Sequence, residues 1–497
     1  MQASQSKPPS APTMTLARAL RCPAVAGCMA LALLSCASLA PQTQQCVAPI
    51  WVEVPSAWST GDVSSPNGNR LPAQWWQRFG DDALTRLEAQ AQQANTSVKG
   101  AQAALRQARA VSDVAAAALW PTLSLSAAAQ HNTAGHESRG NQFQVGLDAG
   151  WELDIFGVNR QALAASEANA EANAASLGDV RVSIAAEVAL DYFALRSAQA
   201  RLAIAADNLA TQAETLQITQ WREQAGLVTN LESEQARAQT EQTRAQIPVL
   251  QTAVEQSRHA LAVLTGQPPA ALSGTLSVAA PIPHAADDLA LSLPAETLRQ
   301  RPDVRAAELQ VTAALARVAQ ADAARLPNFR LGGSLGLNAA TVGALGNGAS
   351  VVSSLLANVA MPLFDGGALR AQVRVQQAAL EQARSAYQAA VLKALQEVED
   401  ALIALRGDRE RLGHLQQAAS AATNAAQLAR LRYASGLVDF QTVLDTQRTQ
   451  LGAQDSVAVA GADLGADHVR LYKALGGGWQ PDAAAHVSAN AVHRDHS

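Results

Sequence analysis

Two periodicities divide the chain. In "FQVGLDAGWELDIFG", Phe143 to Gly157, the apolar residues Phe143, Val145, Leu147, Ala149, Trp151, Leu153 and Ile155 alternate with Gln144, Gly146, Asp148, Gly150, Glu152 and Asp154. A period of two predicts a strand with one apolar and one polar face. Three more segments read the same way. After Pro121, Leu123, Leu125 and Ala127 alternate with Thr122, Ser124 and Ser126; after Pro327, Phe329, Leu331, Leu335 and Leu337 alternate with Arg330, Gly332, Ser334 and Gly336; a fourth carries Leu355, Ala357, Val359, Met361 and Leu363. Each is about ten residues, the length of a tilted strand that crosses a bilayer around a wet lumen. Elsewhere the pattern is helical. The proline-free runs from Val158 to Ala225 and from Ala368 to Ser435 predict two helices, each about 100 Å long at a rise of about 1.5 Å per residue. Shorter helices are predicted at about Asp81 to Leu119, Asn230 to Leu264, Ala295 to Arg325 and Phe440 to Leu475, with a kink at Pro248.

The landmarks between these elements recur at an offset of roughly 208 residues. "WPTLSLS" at Trp120 pairs with "LPNFRLGGS" at Leu326, "DIFG" at Asp154 with "LFDGG" at Leu363, and "AGLVTNL" at Ala225 with "SGLVDFQ" at Ser435. The reading is one duplicated unit: a first repeat over 81–265, a Pro-rich linker over 266–294 and a second repeat over 295–476, preceded by an extended segment over 36–80 and followed by a polar tail over 477–497. Four strands cannot close a barrel, and open edges are not tolerated in lipid. Spanning strands would therefore have to be pooled from several chains, eight from two copies or twelve from three, and a lumen wide enough for solute favours the larger number. A pore-less coiled-coil scaffold is the alternative that the helices alone would allow.

Composition sharpens this. The chain is 48% hydrophobic but only 4% aromatic, so alanine supplies much of the apolar content and helices can approach closely. A net charge of -5 with no basic run gives nucleic acid nothing to bind. All four cysteines, Cys22, Cys28, Cys36 and Cys46, precede the periodic part, so no disulfide framework organises it. Arg18 and Arg21 lead into the short uncharged run "CPAVAGCMALALLSC", too short to span a membrane and suited to an export signal, 1–35. Leu33-Leu34-Ser35-Cys36 resembles a lipobox, with Cys36 as the lipid anchor and Cys28 in "VAGC" as the alternative. Ala37 in place of an aspartate favours the outer membrane, and Met14 offers a second start.

Enzymatic chemistry finds no support. Gly332-Gly333-Ser334-Leu335-Gly336 satisfies G-x-S-x-G, but its serine sits inside an alternating strand instead of a strand-to-helix turn. There is no H-E-x-x-H, P-loop or C-x-x-C, and the nine histidines are scattered. No catalytic residue, metal site or cofactor is expected, beyond a covalent lipid on Cys36. With four methionines in the chain, a methionine-lined copper route is disfavoured.

The chain resembles the TolC/OprM type of outer-membrane efflux protein, in particular the NodT-type lipoproteins paired with RND pumps. The resemblance rests on "CASLAP", "VPSAW", "WWQRFGDDALTRL", "WELDIFG", "RPDVRAAE", "PLFDGGALR", "ALQEVEDAL" and "LYKALGGGW". It implies an α+β membrane protein: a homotrimer whose twelve strands, four per chain, form one outer-membrane β-barrel, continued by a long periplasmic α-helical barrel. Such proteins are passive exit ducts for small amphiphilic compounds such as drugs, joined to an inner-membrane RND pump by a periplasmic adaptor. An exit duct of a type I protein secretion system is the alternative within the same fold. The turns at Gly226, Leu227, Val228 and at Gly436, Leu437, Val438 then become the tips that meet the adaptor. Asp445 takes the place of a lumen-facing aspartate at the constricted entrance. Glu232 and Tyr433 take the places of a carboxylate and a tyrosine that hold neighbouring tip helices closed by a hydrogen bond. Thr442 and Val438 stand where the TolC type carries a second aspartate and an arginine.

Overall fold

The computed structural model describes residues 54–59, 73–134, 137–285 and 294–480. Cys28, Cys36, the export signal, most of the extended segment and the tail from 481 lie outside the described residues. The chain runs α1 (Asp82–Ala94), α2 (Thr96–Ala117), β1 (Thr122–Ala134), β2 (Glu137–Leu153), α3 (Val158–Gln224), α4 (Asn230–Leu264), α5 (Pro294–Arg299), α6 (Pro302–Ala323), β3 (Asn328–Ala339), β4 (Val351–Ala360), α7 (Ala368–Ala434) and α8 (Phe440–Ala474). Both long helices have 67 residues, and α4 and α8 have 35 each.

Three expectations need correction. The helix expected from Asp81 to Leu119 is two helices, because the Asn95 side chain accepts from the N–H groups of Ser97 and Val98 and starts α2 afresh. Likewise Pro302, at the first turn of α6, separates it from the short α5. β2 begins earlier than Phe143 and ends at Leu153, and β4 ends at Ala360, leaving Ile155, Met361 and Leu363 beyond the strands. Helix α4 continues through Pro248.

The helices form one row. α3 packs against α2 and α4 on one side and against α6 and α8 on the other, and α7 packs against α6 and α8. Each pair of shorter helices lies end to end along a long one, and both joints use the same device. Asn95 Nδ2 donates to the Leu264 carbonyl at 2.9 Å, tying the start of α2 to the end of α4. Arg301 donates to the Ala474 carbonyl at 2.9 Å, tying the start of α6 to the end of α8. These bonds satisfy carbonyls that a helix end leaves orphaned. At the second joint Gly476, at φ 91°, leaves room for the Gln300 carbonyl, which a Cβ there would meet at 2.4 Å.

The main apolar core sits around these joints. "WWQRF" forms a 3-10 turn, Trp75–Phe79, whose aromatic rings meet Tyr472 and Phe193 at centroid distances of 5.3 Å (Trp75–Tyr472) and 5.1 Å (Phe79–Phe193). Asp81 then caps α1 and accepts from Tyr192 Oη at 2.7 Å. Nearby, at the α7–α8 seam, Asp467 is buried; one carboxylate oxygen accepts from Arg470 at 2.6 Å and the other has no partner. Burial, with Asp408 beside it, pushes Asp467 up to about 6. A carboxyl group held above its unfolded value favours folding in its protonated form, fully so below about pH 4, and that contribution fades as pH rises through about 6. Asp467→Asn should therefore flatten the pH dependence of thermal stability between pH 5 and 7.5. It should also add on the order of 1 kcal/mol at neutral pH; an unchanged melting profile would refute the assignment.

Candidate functional site

All four junctions between helix and strand fall at one end of the row, and the α3–α4 and α7–α8 turns fall at the other. The strands form one antiparallel sheet in the order β1-β2-β3-β4, the same order as the helices that lead into them. The register aligns side chains by type. Leu125, Leu147 and Leu335 share one row, and Leu123, Ala149, Gly333 and Leu355 the next. This face is uncovered: Leu125 is 74% exposed and Leu355 80%. The opposite face carries the row Ser124, Asp148, Ser334, Ser354, with glycines 146, 150, 332 and 336 flanking it. Ser126 donates to Asp148 at 2.7 Å, and the Ser334 and Ser354 hydroxyls lie 2.8 Å apart. The wall has an apolar outside and a narrow-side-chain polar inside. β4 departs from the alternation, placing Val352 and Leu356 on the polar face.

β1 pairs only with β2 and β4 only with β3, so both outer edges are open among the described residues. Where the sheet meets the helices lies an aromatic band that the strand pattern did not single out. Trp151 Nε1 donates to the Leu119 carbonyl at 3.0 Å, the Phe156 and Phe329 rings lie 6.2 Å apart, and Trp120 and Phe364 are exposed. Such belts sit at membrane–water boundaries. No described helix is long and apolar enough to cross a membrane.

At the far end the two turns are near copies. Gly226 and Gly436 adopt φ 71° and 73°, and in each turn the next residue, Leu227 or Leu437, donates to a carbonyl five residues back at 2.8 Å. This is the Schellman geometry that only a left-handed residue completes without strain. Leu227 and Leu437 are exposed, while Val228 and Val438 are half-buried beneath them. Trp221, Leu231 and Leu431 extend the exposed apolar surface; sequence spacing gave no hint of them, because a long helix with no single apolar face hides which residues its end leaves uncovered. Between the ends of α3 and α7, above Val443 of α8, lies a groove of ≈ 450 Å³ bordered by Ile218, Arg222, Arg430 and Leu431.

The three expected entrance residues do not form one cluster within the chain. Asp445 is exposed on α8, accepting from Gln441 at 3.0 Å and lying 3.4 Å from Arg448. Glu232 closes a capping box with Thr229, its carboxylate accepting the Thr229 N–H at 3.2 Å. Tyr433 is packed differently. Its ring lies 5.3 Å from that of Phe440, the Arg222 guanidinium sits 4.8 Å from its centroid, and its buried hydroxyl makes no hydrogen bond. Burial pushes the Tyr433 phenol up, against the pull of the Arg222 charge.

Comparison with known proteins fits this geometry. The family model for outer membrane efflux proteins matches residues 87–267 and again 293–477. The chain belongs to the outer membrane efflux protein family. It is 32% identical over 469 residues to the pyoverdine export outer membrane protein OpmQ of Pseudomonas putida, covering 92% of this chain and 97% of that protein. It is 28% identical to the probable outer membrane lipoprotein SilC of Salmonella typhimurium, covering 90% and 96% of the two chains. Among solved structures, the outer-membrane channel OprN superposes with a TM-score of 0.80 at 34% identity, covering 88% of this chain and all of that one. This efflux protein is accordingly a protein of the outer membrane, and its family and fold are those of channels, not enzymes.

Proposed function

We propose that three copies of this protein close into a twelve-stranded barrel and serve as the outer-membrane exit duct of a tripartite efflux pump for small amphiphilic compounds. The observation that carries this reading is the sheet with two open edges, whose apolar face is uncovered and whose strand order continues that of the helices. Joining β4 of one copy to β1 of the next removes every edge that lipid would penalise. The same junction sets α7 beside the α2–α4 pair of the next copy, so the helices close into a tunnel below the barrel. Each copy is one unit duplicated in sequence, with matching helix joints at Asn95 and Arg301. Cys36 carries the lipid, in keeping with the lipoprotein SilC.

The tips at Gly226, Leu227, Val228 and at Gly436, Leu437, Val438 meet a periplasmic adaptor, which links the duct to an inner-membrane RND pump. Asp445 contributes a carboxylate to the entrance, three in the trimer, a ring that favours cations. Photo-reactive residues at Leu227 or Leu437, exposed and free of the strain that a side chain at Gly226 or Gly436 would introduce, test this in cells. The expected result is capture of an RND-type adaptor; capture of a secretion-type adaptor would move the duct to protein export.

A further inference from the structure

Below the main core the helices are joined mostly by polar contacts. Arg201 pairs with Asp455 at 2.7 Å, Asn208 Nδ2 donates to Gln454 at 2.9 Å, and Gln447 Nε2 donates to Thr215 at 3.2 Å. Buried amide atoms of Gln212 and the Gln447 oxygen have no partner. A seam of this kind has low local stability. At its far end stands one small apolar knot, Ala236 of α4 with Phe440 and Leu444 of α8, and with Leu216 of α3 and Tyr433 of α7 packed against it. All four tip helices meet there.

We propose that this knot is a cation–π clasp, Arg222 of α3 on the Tyr433 ring of α7, itself on Phe440 of α8, and that it fastens the α3–α4 hairpin to the α7–α8 hairpin. The clasp rests on the reading of the tip as the entrance of a channel. Two observations set it against a hydrogen-bonded fastening through Glu232. The Glu232 carboxylate is committed to the Thr229 N–H of its own helix, and the Tyr433 hydroxyl is buried without a hydrogen bond. What Tyr433 offers is its ring face, and Arg222 occupies it. A guanidinium over a desolvated ring gives an attraction that depends on the π face and the charge, and not on the phenol hydrogen.

The test is the conductance of the purified trimer in planar bilayers, together with hydrogen exchange of the two turn peptides. Arg222→Gln and Tyr433→Leu should each shift the closed-to-open balance by about three- to thirtyfold per copy and speed exchange in both turns at once. The conservative Tyr433→Phe keeps the ring and should keep both readings close to those of the unmodified protein, and Glu232→Gln should not open the entrance. Opening by Tyr433→Phe equal to that by Tyr433→Leu, or exchange in Arg222→Gln speeded only at its own turn, would overturn the clasp. If no variant and no unmodified protein conducts, the channel reading fails, while the exchange data still decide whether the hairpins are fastened through Arg222.

Discussion

Leu355→Arg should abolish assembly in the outer membrane, whereas Ser354→Arg, one residue away, should leave the assembled protein in place with altered ion selectivity. Leu355 lies in the middle of β4 on the uncovered apolar face, in the row of Leu123, Ala149 and Gly333, while Ser354 faces the other way among Ser124, Asp148 and Ser334. An arginine on the lipid face of a transmembrane strand costs about 2–4 kcal/mol near the midplane. Three copies in one barrel raise that to about 6–12 kcal/mol, comparable with the whole stability of a domain. Leu125→Arg on β1 should behave like Leu355→Arg. Heat-resistant oligomer in outer-membrane fractions is the readout, and equal loss from both neighbouring arginines would mean that the two faces are not lipid and lumen.

The second large effect is expected at Arg301. Its side chain is buried and gathers charges from three elements: Asp303 at 2.7 Å, Glu397 of α7 at 2.6 Å and the Ala474 carbonyl at the end of α8. Burial alone would push Asp303 up, but the Arg301 guanidinium more than offsets this and holds it below the usual carboxylate range. Asp179, close by, is pushed up by burial and by the Asp303 charge. Arg301→Ala leaves these carboxylates facing one another and a helix end uncapped. Breaking a buried ion pair costs about 3–5 kcal/mol, and because Asp303 and Glu397 keep some solvent access the lower end, about 3 kcal/mol, applies. Lysine cannot form the two parallel bonds that Arg301 makes to Asp303, so Arg301→Lys should recover only part of the loss. Thermal melting of the purified protein reads the effect, which should exceed that of any exposed i,i+3 pair such as Arg237–Glu234.

The two joints show where sequence stops being informative. Asn95-Thr96-Ser97 carried a readable capping signal that would have split α1 from α2, and Pro302 marked the start of α6. The bonds from Asn95 to Leu264 and from Arg301 to Ala474 span 169 and 173 residues. No local pattern encodes them. The strands were legible because alternation is local, yet β4 escaped it: Val352 and Leu356 break the polar face, and its end at Ala360 has no proline or glycine at the boundary itself. At the tip, Thr229-x-x-Glu232 is a capping-box signature; it accounts for Glu232 without any partner on α7. Arg222 went unnoticed because its one distinguishing feature is a ring 211 positions away.

The central claim is that β4 of one copy pairs with β1 of the next to close a barrel of three. The most direct measurement places one cysteine on β1, at Ser126, and scans a second along β4 from Val352 to Asn358 in a Cys46→Ser background, followed by mild oxidation in outer-membrane fractions. Disulfides confined to a few alternate β4 positions, giving covalent ladders that stop at three copies, are the expected result. Ladders that stop at two, that continue without limit, or that fail at every β4 position would contradict it.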